Sequence, residues 1–338
     1  CTGAMPDMKI LITGGAGFLG SLLARALLQR GRLVGQPISA ITLADVATPQ
    51  LDLAADPRVT VIAGDLLQRM DAVLASEADA VFHLASAVSA ECEADFDLGL
   101  RANLDATRCL LDGLRHQTAK TRRAPLFFFS SSVAVFGNDP AIALPSVVHD
   151  DTLPTPQSSY GIHKFICEQW VADYTRKGFI DGRAARLMTV SVRPGRPNGA
   201  ASSFLSGIVR EPLAGVPAVC PVDPSTEVAL ASPATTIAGI VAVAEASREA
   251  FGGRTALNLP ALTVSVAQML QALERKAGRE VAARVRVEPD AAVSRIVGGW
   301  PARFQSRRAA GLGLKADASF DEVIAQYMAL TASPALRA

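Results

Sequence analysis

Short apolar runs alternate with stretches of helical period through the first half of the chain. "KILIT" (9–13), "ITLAD" (41–45), "VTVIAGD" (59–65), "AVFHLAS" (80–86) and "PLFFFSSS" (125–132) have the length and composition of strands buried on both faces. Residues 18–30, 68–76, 95–118 and 159–177 carry apolar side chains at the spacing of helices with one buried face. "RAARLMTVSVRP" (183–194) adds a sixth strand. Strands alternating with helices predict an α/β fold with a doubly wound parallel sheet.

Beyond Pro194 the rhythm changes. Short elements mix with loops in "SSFLSGIVREPLAG", "VCPVDPSTEVALAS" and "ALNLPALTVSVAQMLQALERKAG". The division expected is a sheet domain over 8–195, rejoined by a segment near 228–250, and a smaller C-terminal α/β lobe over 196–330. No internal repeat or low-complexity linker separates the two, so they are expected to pack closely. Ligands in such folds sit at the carboxyl edge of the sheet, which here faces the lobe.

Composition narrows the partners. The 338 residues are 49% hydrophobic, enough for a substantial core, and carry a formal net charge of +1. That balance gives no electrostatic reason to expect nucleic acid or an anionic membrane. No uncharged apolar run reaches the length of a bilayer span, and "CTGAMPDMKI" lacks the pattern of a secretory leader. The five cysteines are odd in number, widely spaced and never in a CxxC, which points to free thiols in a reducing cytoplasm. The four histidines show no HxxxH spacing, so no metal site is expected, and His83 reads as a structural residue after its strand.

Two segments bring chemistry. "ILITGGAGFLGSLLARALLQRG" sets Gly14, Gly17 and Gly20 in the spacing GxxGxxG between a strand and an amphipathic helix. Gly14 permits a tight turn, Gly17 lets main chain approach a pyrophosphate, and Gly20 permits close helix packing. Phe18 and Leu19 then offer amides at the helix N-terminus. Asp45 ends the second strand, where a carboxylate accepts both ribose hydroxyls and repels a 2′-phosphate, and Val46, Ala47 and Thr48 follow it instead of an arginine. This favours NAD over NADP and makes 8–195 a Rossmann-type NAD-binding domain. Asp65 stands where it meets the adenine edge, caps the next helix, or does both. Leu66 and Ala85, at the following strand ends, complete the expected cofactor wall.

"SSYGIHKF" places Tyr160 and Lys164 one helical turn apart. A phenol titrates near ~10 on its own. A neighbouring ammonium favours the phenolate and makes the pair a general acid/base for hydroxyl–carbonyl interconversion. Ser132, ending "FFFSSS", is placed to hydrogen-bond the reacting oxygen, although any one of these serines also suits a strand end. Asn103 sits mid-helix, where asparagine is a poor helix former; a role in the site and a polar helix face both account for it.

Together GxxGxxG at 14–20, the serines at 130–132, "YGIHK" at 160–164 and "RPG" at 193–195 resemble the extended short-chain dehydrogenases/reductases over nearly the whole chain. The resemblance implies a catalytic set of Ser132, Tyr160 and Lys164 supported by Asn103. It also implies that Tyr160 and Lys164 contact the cofactor, that Pro194 lies beside the nicotinamide, and that two long helices form a homodimer.

Many members of that family act on nucleoside-diphosphate sugars and hold the diphosphate with two arginines. Here the first segment reads "TEVALASP" (226–233), without arginine, and the second reads "RIVGGWPARFQSRRAAGLG" (295–313), with Arg303 but no Gly-Asp. A diphosphate lacking those partners is poorly compensated. Those segments and "SVRPGRPNGAASSFLSGIVREPLAG" (191–215) are similar instead to family members that oxidise the C2 hydroxyl of a four-carbon aldonate to a 2-keto acid with NAD. Ser86, Ser132, Arg196, Asn198 and Ser202 are the candidate contacts to that small sugar acid. An NAD-using nucleoside-diphosphate-sugar epimerase or dehydratase is the alternative. A non-catalytic NAD-binding protein would gain nothing from an intact Ser/Tyr/Lys set.

Overall fold

Seven parallel strands carry the sheet: β1 Met8–Thr13, β2 Gln36–Asp45, β3 Val59–Ala63, β4 Ala80–His83, β5 Leu126–Ser132, β6 Asp181–Leu187 and β7 Leu257–Asn258. Their order is β7-β6-β5-β4-β1-β2-β3, with Arg32–Leu33 antiparallel against the start of β2. The computed structural model describes residues 7–195 and 201–332. Six helices matter below: α1 Phe18–Arg30, α2 Ala106–Thr121, α3 Ser159–Arg176, α4 Phe204–Leu213, α5 Pro233–Glu245 and α6 Ala291–Gly298.

The strands are apolar throughout because helices cover both faces. Alternate residues point to opposite sides. Ile10, Ile12, Phe82 and Phe128 pack with Leu23 and Leu27 of α1 and Ile237 and Ile240 of α5. Leu11, Val81, Phe127 and Phe129 pack with Leu110 and Leu111 of α2 and Cys167 and Val171 of α3. α5 packs on the sheet, and Leu257–Asn258 beyond it joins the sheet edge beside β6.

The smaller lobe has its own core, where Val192, Leu205, Ile208, Leu230, Val264, Met269 and Ile324 meet. Its strands are short. Glu227–Ala231 pairs in parallel with Thr189–Val190 and antiparallel with Leu262–Ser265, and Ala218–Cys220 pairs in parallel with Val285–Val287.

Four boundaries differ from the sequence reading. The helix expected over 95–118 is a capped turn at Phe96–Gly99, a π-helical stretch at Leu100–Asp105 and then α2. The strand expected over 183–194 leaves the main sheet after Leu187, because Thr189–Val190 pairs with the lobe. The strand expected over 59–65 stops at Ala63, ahead of Gly64 with φ +129°. The helix expected over 68–76 shrinks to Met70–Leu74, since Asp65 Oδ1 accepts from Leu67 N (2.9 Å) and Gln68 N (3.3 Å) and holds a turn there.

Among the described residues no helix is long and apolar enough to cross a membrane, and no cluster of three or more His, Cys, Asp or Glu suits a metal ion. Cys92, Cys109, Cys167 and Cys220 are free thiols.

Candidate active site

The strand order reverses between β1 and β4, and at that edge lies a cavity of about 1870 Å³. Its walls run from Gly14, Gly17 and Asp45 past Ser132, Tyr160 and Lys164 to Arg193, Ser202 and Trp300.

Main chain shapes the first part. Gly14 has φ +71°, and a Cβ there would lie 2.8 Å from Ala85 N. A Cβ on Gly20 would lie 2.0 Å from Gly14 O, so helix and turn touch with no room for a methyl group. Gly17 is freer: the nearest atom to its Cβ would be Gly14 O at 3.2 Å. No side chain caps α1, which leaves first-turn amides, including those of Phe18 and Leu19, without a side-chain acceptor. Asp45 Oδ2 accepts from Ala16 N (3.0 Å) and Gly17 N (3.1 Å), and Oδ1 from Ala47 N (3.1 Å). A carboxylate has about four acceptor sites, so Asp45 braces the turn and can still accept from a ligand. Asp65, Leu66 and Ala85 also line this part, Asp65 while capping its own turn. Open amides at a helix end beside a lone carboxylate fit the pyrophosphate and ribose of NAD.

Buried and half-buried side chains shape the second part. Ser158 Oγ accepts from Gly161 N (3.1 Å) and starts α3. A Cβ on Gly161 would sit 2.1 Å from Ala134 O; this glycine lets α3 press on the turn after β5 and brings Tyr160 to Ser132. Burial pushes the Tyr160 phenol up to about 12, opposed in part by a hydrogen bond with Ser132 and by the positive charge of Arg193. Ser132 Oγ also accepts from Ala134 N (3.1 Å). Lys164, 3% exposed, donates to Ser130 O (2.8 Å) and lies 4.9 Å from the Phe129 ring centroid; burial draws its ammonium down to about 8. Its Nζ also lies 5.6 Å from the Tyr160 ring centroid, one turn away on α3, and Arg193 adds a second positive charge near the phenol.

Behind them, Arg186 grips Glu168 through Nε–Oε1 (2.9 Å) and Nη2–Oε2 (2.8 Å), and Ser131 Oγ donates to the same Oε1 (2.5 Å). This buried pair ties α3 to β5 and β6 next to the tyrosine–lysine turn. His83, wholly buried between Thr13 Oγ1 (2.6 Å) and Thr107 Oγ1 (2.8 Å), is held neutral by burial, which lowers its pKa to about 3, as suits a structural histidine.

Asn103 does not line the cavity. Its Oδ1 accepts from Ala87 N (2.7 Å) and Ser86 Oγ (3.1 Å), and its Nδ2 donates to Ala87 O (3.2 Å). The π-helical stretch turns this amide inward to hold the loop after β4. Ser86 lines the cavity with its proton directed to Asn103 or to Ala87 O (2.9 Å), leaving lone pairs for a ligand. Pro194 is half-buried and off the wall, whereas Arg193 is on it. Arg193 was missed as a site residue, although a charged side chain at the carboxyl end of a parallel strand is a usable signal. Ser202 lines the cavity; Arg196 and Asn198 lie outside the described residues. Arg303 is exposed, absent from the wall and paired with Glu227 (2.8 Å). Arg295 of α6 does line the rim.

Residues 10–226 match the NAD dependent epimerase/dehydratase family. The chain is 53% identical to a D-erythronate dehydrogenase of Cupriavidus necator over 95% of this chain and 98% of that one. It is 41% identical to a D-erythronate dehydrogenase of Haemophilus influenzae over 95% of this chain and 99% of that one. Among solved structures it is similar to one described as a nucleoside-diphosphate-sugar epimerase from Agrobacterium tumefaciens, with a TM-score of 0.90, 40% identity and coverage of 97% and 96%.

Proposed function

The chain belongs to the NAD dependent epimerase/dehydratase family, and from that premise we propose that it oxidises the C2 hydroxyl of a small aldonate, D-erythronate or a close analogue, to the 2-keto acid. NAD, when bound, supplies the acceptor for the C2 hydrogen and its electron pair. Tyr160 takes the hydroxyl proton, and Ser132 holds that oxygen. Lys164, fixed on Ser130 O, keeps its ammonium beside the tyrosine and anchors the cofactor. Asn103 acts through the Ala87 loop as a positioning residue.

Gly14, Gly17, Phe18, Leu19, Asp45, Asp65, Leu66 and Ala85 hold the cofactor, with Pro194 next to the wall residue Arg193. Ser86 faces substrate hydroxyls, and Ser202 on the wall, with Arg196 and Asn198 outside the described residues, are candidate donors to the acid. The proposed division is 8–195 with the returning segment near 228–250 for NAD, and 196–330 mainly for substrate; the distinct cores around α5 and around Leu205, Ile208 and Met269 support it, while Val192 and Leu257 cross the boundary. A cytoplasmic homodimer completes the reading, since Phe96 and Ile162 lie 59% and 45% exposed on the two helical segments the family would pair.

The observation that carries the proposal is the juxtaposition of Tyr160 and Ser132 with a cationic wall at Arg193, while Arg303 is spent on Glu227. Arg295 at the rim and the likeness to the Agrobacterium protein favour the epimerase alternative. Incubating enzyme and NAD with C4–C6 aldonates and following NADH absorbance separates the two. Aldonate-dependent NADH, lost in Tyr160→Phe with NAD binding retained, is the expected result. Tight UDP or dTDP binding with no NADH from any acid would reverse the assignment.

A further inference from the structure

Among the arginines of the cavity wall, Arg193 differs from the other two. Arg101 and Arg295 are exposed at its rim, whereas Arg193 is half-buried within the wall. Among the described residues the Arg193 guanidinium has no carboxylate partner, and the nearby Arg210 is already paired with Glu211 at 2.6 Å. The main chain of Arg193 is fixed at both ends: its N–H donates to Ser206 Oγ (3.0 Å), and its carbonyl accepts from Arg210 Nη1 (2.9 Å). Burial and the Arg210 charge hold the Arg193 guanidinium below its ordinary range. A cation removed from water without a counter-ion is costly, and an anionic ligand relieves that cost.

The position suits one kind of anion. Arg193 is close enough to Tyr160 for each charge to bear on the other. In a 2-hydroxy acid the carboxylate is bonded to the carbon whose hydroxyl reacts, so its receptor must stand beside the base. A guanidinium fork matches a carboxylate in two parallel hydrogen bonds, which an ammonium does not reproduce.

We propose that Arg193 is the carboxylate receptor and specificity-determining residue of the site, gripping C1 of the acid while the C2 hydroxyl meets Tyr160 and Ser132. This rests on the aldonate reading above. Arg193 thereby selects 2-hydroxy acids over neutral polyols and sugars.

The test compares D-erythronate with its neutral amide in wild type, Arg193→Gln and Arg193→Lys, with NAD affinity and thermal midpoint recorded for each. In Arg193→Gln the acid-to-amide ratio of kcat/KM should fall on the order of 100-fold, mainly through KM of the acid. Arg193→Lys should recover part of that loss. Equal losses on acid and amide would overturn the assignment while leaving aldonate oxidation standing. A wild type that oxidises no aldonate would remove the functional reading itself. Should the variants fail to bind NAD, glycolate and glycolamide are compared as inhibitors of the wild type. Competitive inhibition by the acid alone supports the assignment, and equal inhibition by both contradicts it.

Discussion

At the glycine turn the cavity wall is main chain, whereas around the tyrosine it is buried side chain, and the two parts resist different insults. At Gly14 and Gly20 the turn makes contacts that leave no space for a Cβ, with Asp45 bracing it from the next strand. The tyrosine part depends on charge placed inside the protein: Lys164 on Ser130 O, Glu168 on Arg186, and Arg193 beside Tyr160. Added bulk should therefore harm the first part, and removed charge the second.

Charge removal has the largest expected effect. Glu168→Gln leaves Arg186 buried without its anion and should cost about 3–5 kcal/mol in denaturant unfolding, with turnover falling as α3 loosens against β5. A loss below about 1 kcal/mol would mean that packing, not the ion pair, holds this part together.

Bulk at the turn comes next. Gly20→Ala drives a methyl group into Gly14 O and should cost about 1–3 kcal/mol of stability. It should also abolish NAD binding in a calorimetric titration, because the pyrophosphate turn moves. Unchanged NAD affinity would erase the contrast between the two parts.

Per pH unit the smallest effect is a slope. Lys164 titrates at about 8 when folded against 10.5 in its ordinary state, so between those values the unfolded chain binds more protons and stability rises with pH. The destabilising contribution is complete below pH 8, and the gain is at most about 1.4 kcal/mol per pH unit. Tyr160 acts oppositely but higher: its folded pKa of about 12 adds stability below pH 10 that is lost as pH rises from 10 to 12. Lys164→Met should flatten the pH 8–10 slope. Identical slopes in variant and wild type would show that the lysine is not desolvated as described.

The same contrast explains what could be read from the chain. Strands buried on both faces announce themselves as apolar runs, and the glycine spacing reports contacts made within a few residues, so the sheet and nucleotide turn were legible. Tyr160, Lys164 and Ser132 were legible as residue types, but their electrostatics were not. The charge around Tyr160 depends on Arg193, at another strand end, as well as on Lys164, which also reaches Ser130 O. The Glu168–Arg186 pair joins a helix to a strand, so no local pattern signals it. The π-helical stretch at 100–105 keeps a helical apolar period and shows only in what Asn103 reaches. The lobe's two- to five-residue strands pair across long separations, as Ala218–Cys220 does with Val285–Val287, and were visible only as a change of rhythm.

The central claim, removal of hydrogen from C2 of a small aldonate, is tested most directly with D-erythronate deuterated at C2. Released NADH should carry the deuterium in step with 2-keto acid formation. NADH without deuterium, or no released NADH while a nucleoside-diphosphate sugar is converted, would contradict the account.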